Sequence, residues 1–367
     1  MGVNVVKLGD FVKIQTGKLD ANAADENGLY PFFTCAVEPL AINTYAYDCE
    51  CILIAGNGDL NVKYYNGKFN AYQRTYIIEV IDKTLDIRYL YHFLTKYINV
   101  LRQNSIGGVI KYIKLGDLTG IKLPLPTIEE QEKIVSILDK ADEIRAKKKL
   151  ANDKLDEFLK STFISMFGDP KTNSKQLQVS KIKDLCVVQT GSTPKRDVES
   201  YYKDATIPWL KTGEVVNQYI CSAEEYISEK AIKETNCKLF PVNTILVAMY
   251  GQGLTRGRVG MLKIEASTNQ ACSAIIPSEK INQEFLYNQL KIQYQTLRDY
   301  GRGGNQPNLN MDIIRNFEVI LPPIEDQNKF AQIVEHVEVQ KQKNELVIEQ
   351  MNNLFNSLSQ RAFKGEL

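Results

Sequence analysis

The chain has 367 residues, 44% of them hydrophobic, with 45 Lys and Arg against 44 Asp and Glu. That is enough chain for two globular cores, and the absence of any run of 18 apolar residues argues against a membrane span or a membrane partner. Seven cysteines, with a lone C-x-C at Cys49 and Cys51, and only two histidines argue against a disulfide framework or a zinc module and fit a reducing, cytoplasmic setting.

Residues 1–122 read as a mixed, strand-rich domain with a net charge of +1. Met1 to Gly9 lacks the apolar stretch of a signal peptide. Val3–Leu8, Cys51–Ala55, Val62–Tyr65 and Tyr76–Val80 are predicted strands. They are separated by turns at Glu26-Asn27-Gly28, Gly56-Asn57-Gly58-Asp59 and Asn66-Gly67. Leu85 to Val100 has helical apolar spacing, with Asp86 placed to cap it and His92 on its apolar face as a packed core residue.

Residues 123–170, net −2, begin with Leu125-Pro126-Thr127-Ile128-Glu129-Glu130-Gln131, which returns as Leu321-Pro322-Pro323-Ile324-Glu325-Asp326-Gln327. The offset of 196 holds without a gap through the following stretch, so Lys133 matches Lys329, Ile137 matches Ile333, Leu155 matches Met351 and Phe167 matches Phe363. Thr127 with Glu130 is a capping-box pattern, and some 40 helical residues make a rod of about 60 Å. A heptad grid runs through Ile137, Ala141, Ile144, Lys148, Ala151, Leu155, Phe158 and Thr162. In the second copy it runs through Ile333, Val337, Gln340, Asn344, Val347, Met351, Leu354 and Leu358. Such a stripe predicts that the two rods pack against each other, antiparallel, with Ile137 near Leu358, Ile144 near Met351, Ala151 near Asn344 and Phe158 near Val337. His336 falls on the surface of the second rod.

Residues 171–320, net +4, repeat the first domain's plan, and residues 321–367, net −2, repeat the rod. Lys7 to Gly17 matches Lys181 to Gly191, and Ile52–Ala55 matches Ile245–Ala248. Gly107-Gly108 matches Gly303-Gly304. The shared pieces are scaffold and the loops differ. The expected fold class is therefore α+β: two similar mixed α/β domains separated and joined by two long antiparallel helices, with pseudo-twofold symmetry.

The diverged loops carry the side chains that contact nucleic acid. In the first domain these are Gln15, Thr16, Lys18, Asn57, Asn61, Lys63, Tyr65, Gln73, Arg74, Arg102, Ser105, Lys111 and Tyr112. In the second they are Thr190, Ser192, Thr193, Lys195, Arg196, Tyr250, Gln252, Thr255, Arg256, Arg258, Arg302, Asn305, Gln306 and Asn308. Arg reads guanine edges bidentately, Asn and Gln read adenine, and all of them can hold phosphate. The globular parts are mildly basic and the rods mildly acidic, which places nucleic acid on the former. No phosphate loop, dinucleotide loop or nucleophile–histidine pair is present, so no cofactor, metal or catalytic residue is expected. Asn305-Gln306-Pro307-Asn308 lacks the order and the aromatic of an amino-methyltransferase motif.

Taken together, Leu-Pro-x-Ile-Glu-x-Gln opening a long helix, twice, after domains that each begin K-[LI]-x-D-x-x-x-x-Q-T-G, resembles the specificity (S) subunit of type I restriction–modification systems. The resemblance spans essentially the whole chain. It implies two target-recognition domains, each reading one half of a split site in double-stranded DNA, and two helices that act as spacer. It also implies assembly with two methyltransferase (M) subunits, and with motor-nuclease (R) subunits where restriction occurs. The S-adenosylmethionine site would belong to M. Two other readings stay open at this level: a protein–protein adaptor without DNA binding, and a DNA-modifying enzyme of unfamiliar motif.

Overall fold

The structure, a computed structural model, describes residues 4–106, 111–251, 253–301 and 308–362. It divides into two compact units: residues up to 150 together with those from 344 onward, and residues 151–343.

In the first unit, β1 (Asn4–Lys7), β2 (Val12–Thr16), β3 (Tyr30–Phe33), β4 (Leu40–Ile42), β5 (Tyr47–Ala55), β6 (Val62–Ala71) and β7 (Thr75–Val80) lead into α1 (Ile87–Asn104), α2 (Leu115–Thr119) and β8 (Lys122–Leu125). The long helix α3 (Ile128–Phe167) follows. Six strands form one sheet in the order β2-β7-β5-β6-β3-β4. Period-two alternation divides β5 between two cores. Ile52 and Ile54 pack with Leu90 and Leu94 of α1, while Cys51 and Leu53 pack with Phe33, Phe69 and Ile77 on the other face. The Asp86 carboxylate caps α1 by accepting from the Tyr89 amide at 2.7 Å. The turn expected at Asn66-Gly67 is instead the interior of β6, with Gly67 opposite Cys49. The long β5 ladder carries the strand through, and Gly67 absorbs the local bend at φ +135°.

The second unit holds β9 (Val179–Lys181), α4 (Ile182–Leu185), β10 (Val188–Thr190), β11 (Ile207–Leu210), β12 (Tyr219–Ile220), β13 (Glu225–Ile227), α5 (Glu229–Glu234), β14 (Ile245–Ala248), β15 (Val259–Leu262), β16 (Ser267–Thr268), β17 (Cys272–Ile275), α6 (Gln283–Ile292), α7 (Tyr294–Asp299), α8 (Met311–Asn316) and β18 (Glu318–Ile320). These lead into the helix α9 (Ile324–Ala362). The central sheet runs β10-β17-β14-β15-β12, and β13-β11-β16 form a smaller sheet around the buried Trp209. Ile245 and Val247 face α6; Leu246 and Ala248 face the opposite core.

Two shared sequence features acquire a physical reason. The glycine of each Gln-Thr-Gly lies against a neighbouring backbone. A Cβ on Gly17 would sit 2.2 Å from the Ala71 carbonyl oxygen, and one on Gly191 would sit 1.8 Å from that of Thr268. The glutamine of each Leu-Pro-x-Ile-Glu-x-Gln pins a rod to its domain. Gln131 Oε1 accepts from the Asp86 amide at 2.8 Å while its Nε2 donates to the carbonyls of Thr84 and Pro126. Gln327 Oε1 accepts from the Asn282 amide at 2.9 Å while its Nε2 donates to Pro322. Both glutamines are buried at the N-cap of the domain helix.

α3 starts as its sequence predicts: the Thr127 amide donates to Glu130 Oε2 at 2.9 Å and the Glu130 amide to Thr127 Oγ1 at 3.4 Å. The rods meet antiparallel within each unit. In the first, Arg145 Nη1 donates to Asn352 Oδ1 at 2.9 Å and Lys148 Nζ to Asn344 Oδ1 at 3.2 Å. In the second, Lys341 Nζ bonds Asp156 at 3.0 Å.

The buried stripe, however, coincides only in part with the expected heptad grid, whose Ala141, Val337 and Asn344 are buried. Ile134, Leu138 and Ala141 are buried with Phe355 in the first unit, and Leu159, Phe163 and Phe167 with Phe330, Val334 and Val337 in the second. Ile137, Phe158 and Leu354, seam residues by sequence, are 45%, 51% and 43% exposed. The reason is a third partner. Each rod pair also packs on a domain helix, as in the cluster of Phe163, Phe167 and Phe330 around Phe285 of α6, with centroids 5.0–5.8 Å apart. A heptad grid accounts only for helix on helix, and the domain helix draws the buried face towards itself.

Candidate nucleic-acid interface

One end of each sheet gathers most of the polar residues named from sequence. In the first unit the β5–β6 connection, Gly56 to Asn61, is framed by backbone bonds from segments far apart in sequence. The Gly56 amide donates to the Arg74 carbonyl at 2.7 Å, the Ile113 amide to the Gly56 carbonyl at 3.0 Å, and the Gly58 amide to the Lys111 carbonyl at 2.9 Å. Asn57 and Ile106 both form bridges to Tyr112. Thr16 pairs with Tyr76, and Gly17 bonds the Thr75 carbonyl, so Thr16, Lys18, Gln73 and Arg74 come to the same end. Ser105 Oγ donates to the Arg102 carbonyl beside them.

The second unit repeats the frame. The Met249 amide donates to the Ala271 carbonyl at 2.9 Å, and the Leu309 amide to the Met249 carbonyl at 3.0 Å. Its β14–β15 connection, Met249 to Arg258, is longer and takes positive φ at Gly251, Gly253 and Gly257. That backbone is open to glycine and strained for other residues. Tyr250, Thr255, Arg256 and Arg258 lie on it, with Asn308 beside its base. Thr190 ends β10, and Ser192 bonds the Thr268 carbonyl at the same sheet end. Gln252, Arg302, Asn305 and Gln306 lie outside the described residues.

Several candidates are already committed to partners in the protein. Gln15 Nε2 donates to Glu79, Gln73 Nε2 to Asp20, and Thr193 Oγ1 to Gln270. Lys63 donates to Asn61 Oδ1, and burial holds its ammonium below the usual lysine range. Tyr65 lies mid-strand, its ring 5.0 Å from that of Phe33 and 5.6 Å from that of Phe69. Arg196 stacks on Tyr202 and Trp209 and bonds Glu225 at 2.7 Å, which raises its pKa. Arg102 Nη2 bonds Asp59 at 3.1 Å and the Leu60 carbonyl at 2.6 Å. By contrast, no ion pair among the described residues engages Lys18, Arg74, Lys111, Lys195 or Arg258. Sequence reasoning passed over exposed Leu254 and Tyr300 near the second loop and Arg298 beneath it. The offset of 196 between Arg102 and Arg298 was the available signal.

Among the described residues no helix is long and apolar enough to cross a membrane. Two similar mixed α/β domains with a common loop frame, joined to long antiparallel helices, define a two-domain, helix-linked scaffold. A family model described as the type I restriction modification DNA specificity domain matches residues 1–154 and residues 174–350, and the chain belongs to that family.

The chain is 30% identical to the EcoDI specificity subunit of Escherichia coli, across 99% of this chain and 88% of that one. It is 25% identical to the MjaIX specificity subunit of Methanocaldococcus jannaschii, across 76% and 68%. The fold is that of the type I S subunit from M. genitalium, at a TM-score of 0.62 and 16% identity, covering 98% of this chain and 96% of that one. A chain from a structural study of type I complex assembly matches at a TM-score of 0.56 and 14% identity, covering 100% and 98%. The protein is accordingly a type I restriction–modification specificity subunit, which is a non-catalytic component of its system.

Proposed function

We propose that each unit reads one half of a bipartite, asymmetric site in double-stranded DNA through the loop set at its framed sheet end. The observation that carries this is the repeated frame. Gly56 and Met249 are held by the same pair of backbone bonds, yet the loops they open differ in length and in side chains. A common frame with different loops reads different bases. The exposed amides, hydroxyls and unpaired cations supply base-edge and phosphate contacts.

The helices set the spacing and dock two methyltransferase subunits. Matched rod positions support this reading, since Leu150 and Leu346 are 53% and 56% exposed, and Phe158 and Leu354 are likewise uncovered. In the first unit Ile137, Ala141, Ile144, Met351 and Leu354 line an open groove of about 300 Å³. Apolar side chains held out of a core mark partner surfaces. Motor-nuclease subunits join the assembly where the system restricts DNA.

Methylation mapping of a host genome with and without the chain, supplied with its methyltransferase, tests the reading. Methylation confined to one split sequence with unlike halves is expected. Unchanged methylation, with no mobility shift on DNA by the assembled complex, would leave only a protein adaptor.

A further inference from the structure

Beneath each loop stands one arginine, at matching positions 196 residues apart. Arg102 lies in the last turn of α1 and Arg298 in the last turn of α7. Arg102 Nη2 donates to the Leu60 carbonyl at 2.6 Å and to Asp59 Oδ1 at 3.1 Å, while its Nη1 donates to Asn99 Oδ1 at 3.0 Å. Arg298 Nη1 donates to the Arg256 carbonyl at 2.8 Å and to the Tyr294 hydroxyl at 2.9 Å. Its Nη2 donates to the Gly253 carbonyl at 3.0 Å. The Tyr294 hydroxyl in turn donates to the Leu254 carbonyl at 2.5 Å. A Cβ on Gly257 would meet Arg298 Cγ at 2.8 Å, so the loop lies directly on the arginine stem.

Arg298 thus holds two carbonyls of its loop, and Arg102 holds one carbonyl and the Asp59 carboxylate of its loop. A planar guanidinium offers five donors in a fixed fork and can tie several carbonyls at once. In the second unit three carbonyls, from residues 253, 254 and 256, are fastened to α7 through Arg298 and Tyr294. The supporting helices are built differently: α1 runs unbroken to Asn104, whereas α6 and α7 are separated at Gln293. The loops above share neither length nor sequence. The residue reaching under them is nevertheless the same.

We propose that Arg102 and Arg298 are positioning residues for the two reading loops, fixing loop backbone so that half-site preference depends on them without their touching DNA. This rests on the reading of those loops as DNA-facing. Fastening a glycine-rich loop removes conformational freedom that binding would otherwise have to remove, so base discrimination falls when the fastening is lost.

The test uses the full chain assembled with its methyltransferase subunits, carrying Arg298→Ala, Arg298→Lys or Arg102→Ala. Two quantities are read: methylation preference at each half-site, and the salt dependence of DNA affinity. Arg298→Ala is expected to lower discrimination at one or more positions of a single half-site by about tenfold and to leave the other half-site intact. Arg102→Ala should do the reverse. Lysine should not restore preference, because an ammonium lacks the fork. The salt slope should stay unchanged, since no phosphate contact is lost.

A slope reduced by about one with preference unchanged would instead make the arginine a direct phosphate contact and overturn the proposal. No change in either quantity would overturn it too. Should Arg298→Ala fail to assemble, Tyr294→Phe removes only the hydroxyl and should shift the same half-site more weakly; no shift there counts against the proposal. Replacing residues 250–257 with a short turn separates the two claims. If that replacement leaves both half-sites unaltered, the loop does not read DNA. If it changes one while the arginine variants do not, only the positioning role fails.

Discussion

Replacing Gln131 with leucine keeps volume but removes the acceptor for the Asp86 amide and the donor for the Thr84 and Pro126 carbonyls. Each buried backbone group left without a partner costs about 1–3 kcal/mol. With partial rehydration, Gln131→Leu should cost the first unit about 2–4 kcal/mol in denaturant unfolding, and Gln327→Leu should cost the second unit less, having fewer bonds to lose. A change under about 0.5 kcal/mol at either site would show that the rod is held by its apolar stripe alone.

His92 gives a pH dependence of the same unit. Its ring is fully buried, with Nε2 2.7 Å from Asp139 Oδ1, Nδ1 4.0 Å from Asp142 Oδ2, and the Phe355 ring beside it. Arg88 bonds the same Asp139 oxygen at 2.5 Å, and Arg145 pairs with Asp142. Burial lowers the His92 pKa below its ordinary 6.5; the bond to Asp139 works in the other direction, and Arg88 and Arg145 add to the lowering. The unfolded chain therefore binds the proton first. Stability is intact above the unfolded value and is lost as pH falls through it towards the folded one. For Asp139 burial acts upwards, but bonds from Arg88 and His92 leave its pKa lowered, so its contribution is lost only in the more acidic carboxylate range. The thermal midpoint of the wild-type chain should fall as the pH drops below about 6.5, and His92→Gln should flatten that fall. Equal slopes in the two proteins would mean that another group titrates.

At the scale of elements, Lys148 and Asn344 hold the same place in the two rod copies, and they bond to each other. In an antiparallel pair a position meets its own repeat only where the copies cross, so this polar contact marks the register. Asn344 is buried, and a buried polar seam residue specifies register at a cost in stability. Asn344→Leu should raise stability by about 1 kcal/mol while loosening register. Cysteines at 145 and 352, where Arg145 meets Asn352, should cross-link cleanly in the parent and in competition with pairs one turn away in the variant. A single cross-link in both would assign the register to the apolar contacts.

The sequence carried this much because period and repetition are local: the rods, their antiparallel sense, the cap at Thr127 and the strands around Ile52 were all legible from it. What it hid depends on third partners. Phe163 and Phe330 are buried because α6 covers them, and no heptad grid contains α6. The loop candidates divide for a similar reason. Arg196 and Arg102 look like free cations in sequence, and only the fold brings Glu225 and the Leu60 carbonyl to them.

For the whole chain the consequence is where a compact unit begins and ends. The expected second domain, residues 171–320, lies inside a compact unit of residues 151–343 that also takes in a segment of each rod. Several side-chain contacts of this unit lie on the added helix segments. Lys341 bonds Asp156 at 3.0 Å and Glu338 at 3.4 Å. Burial lowers the pKa of Lys291 on α6, with Asp156 acting the other way. Phe285 stacks on Phe163 at 5.4 Å. A graft of 171–320 from a relative leaves Asp156, Phe163, Phe330 and Lys341 behind to face a foreign α6. A graft of 151–343 carries both sides of that junction. On the proposed reading both chimeras should change one half-site and leave the other, because the first unit's loops are untouched. They should differ in stability. The shorter graft repacks an aromatic cluster against a foreign α6, so it should unfold at lower denaturant by an amount worth about 2–4 kcal/mol. Methylation mapping reads the first expectation and denaturant titration the second. If both half-sites change together, the two units do not read independently. If the grafts are equally stable, the junction residues on the rods are interchangeable and the boundary belongs at 171 and 320.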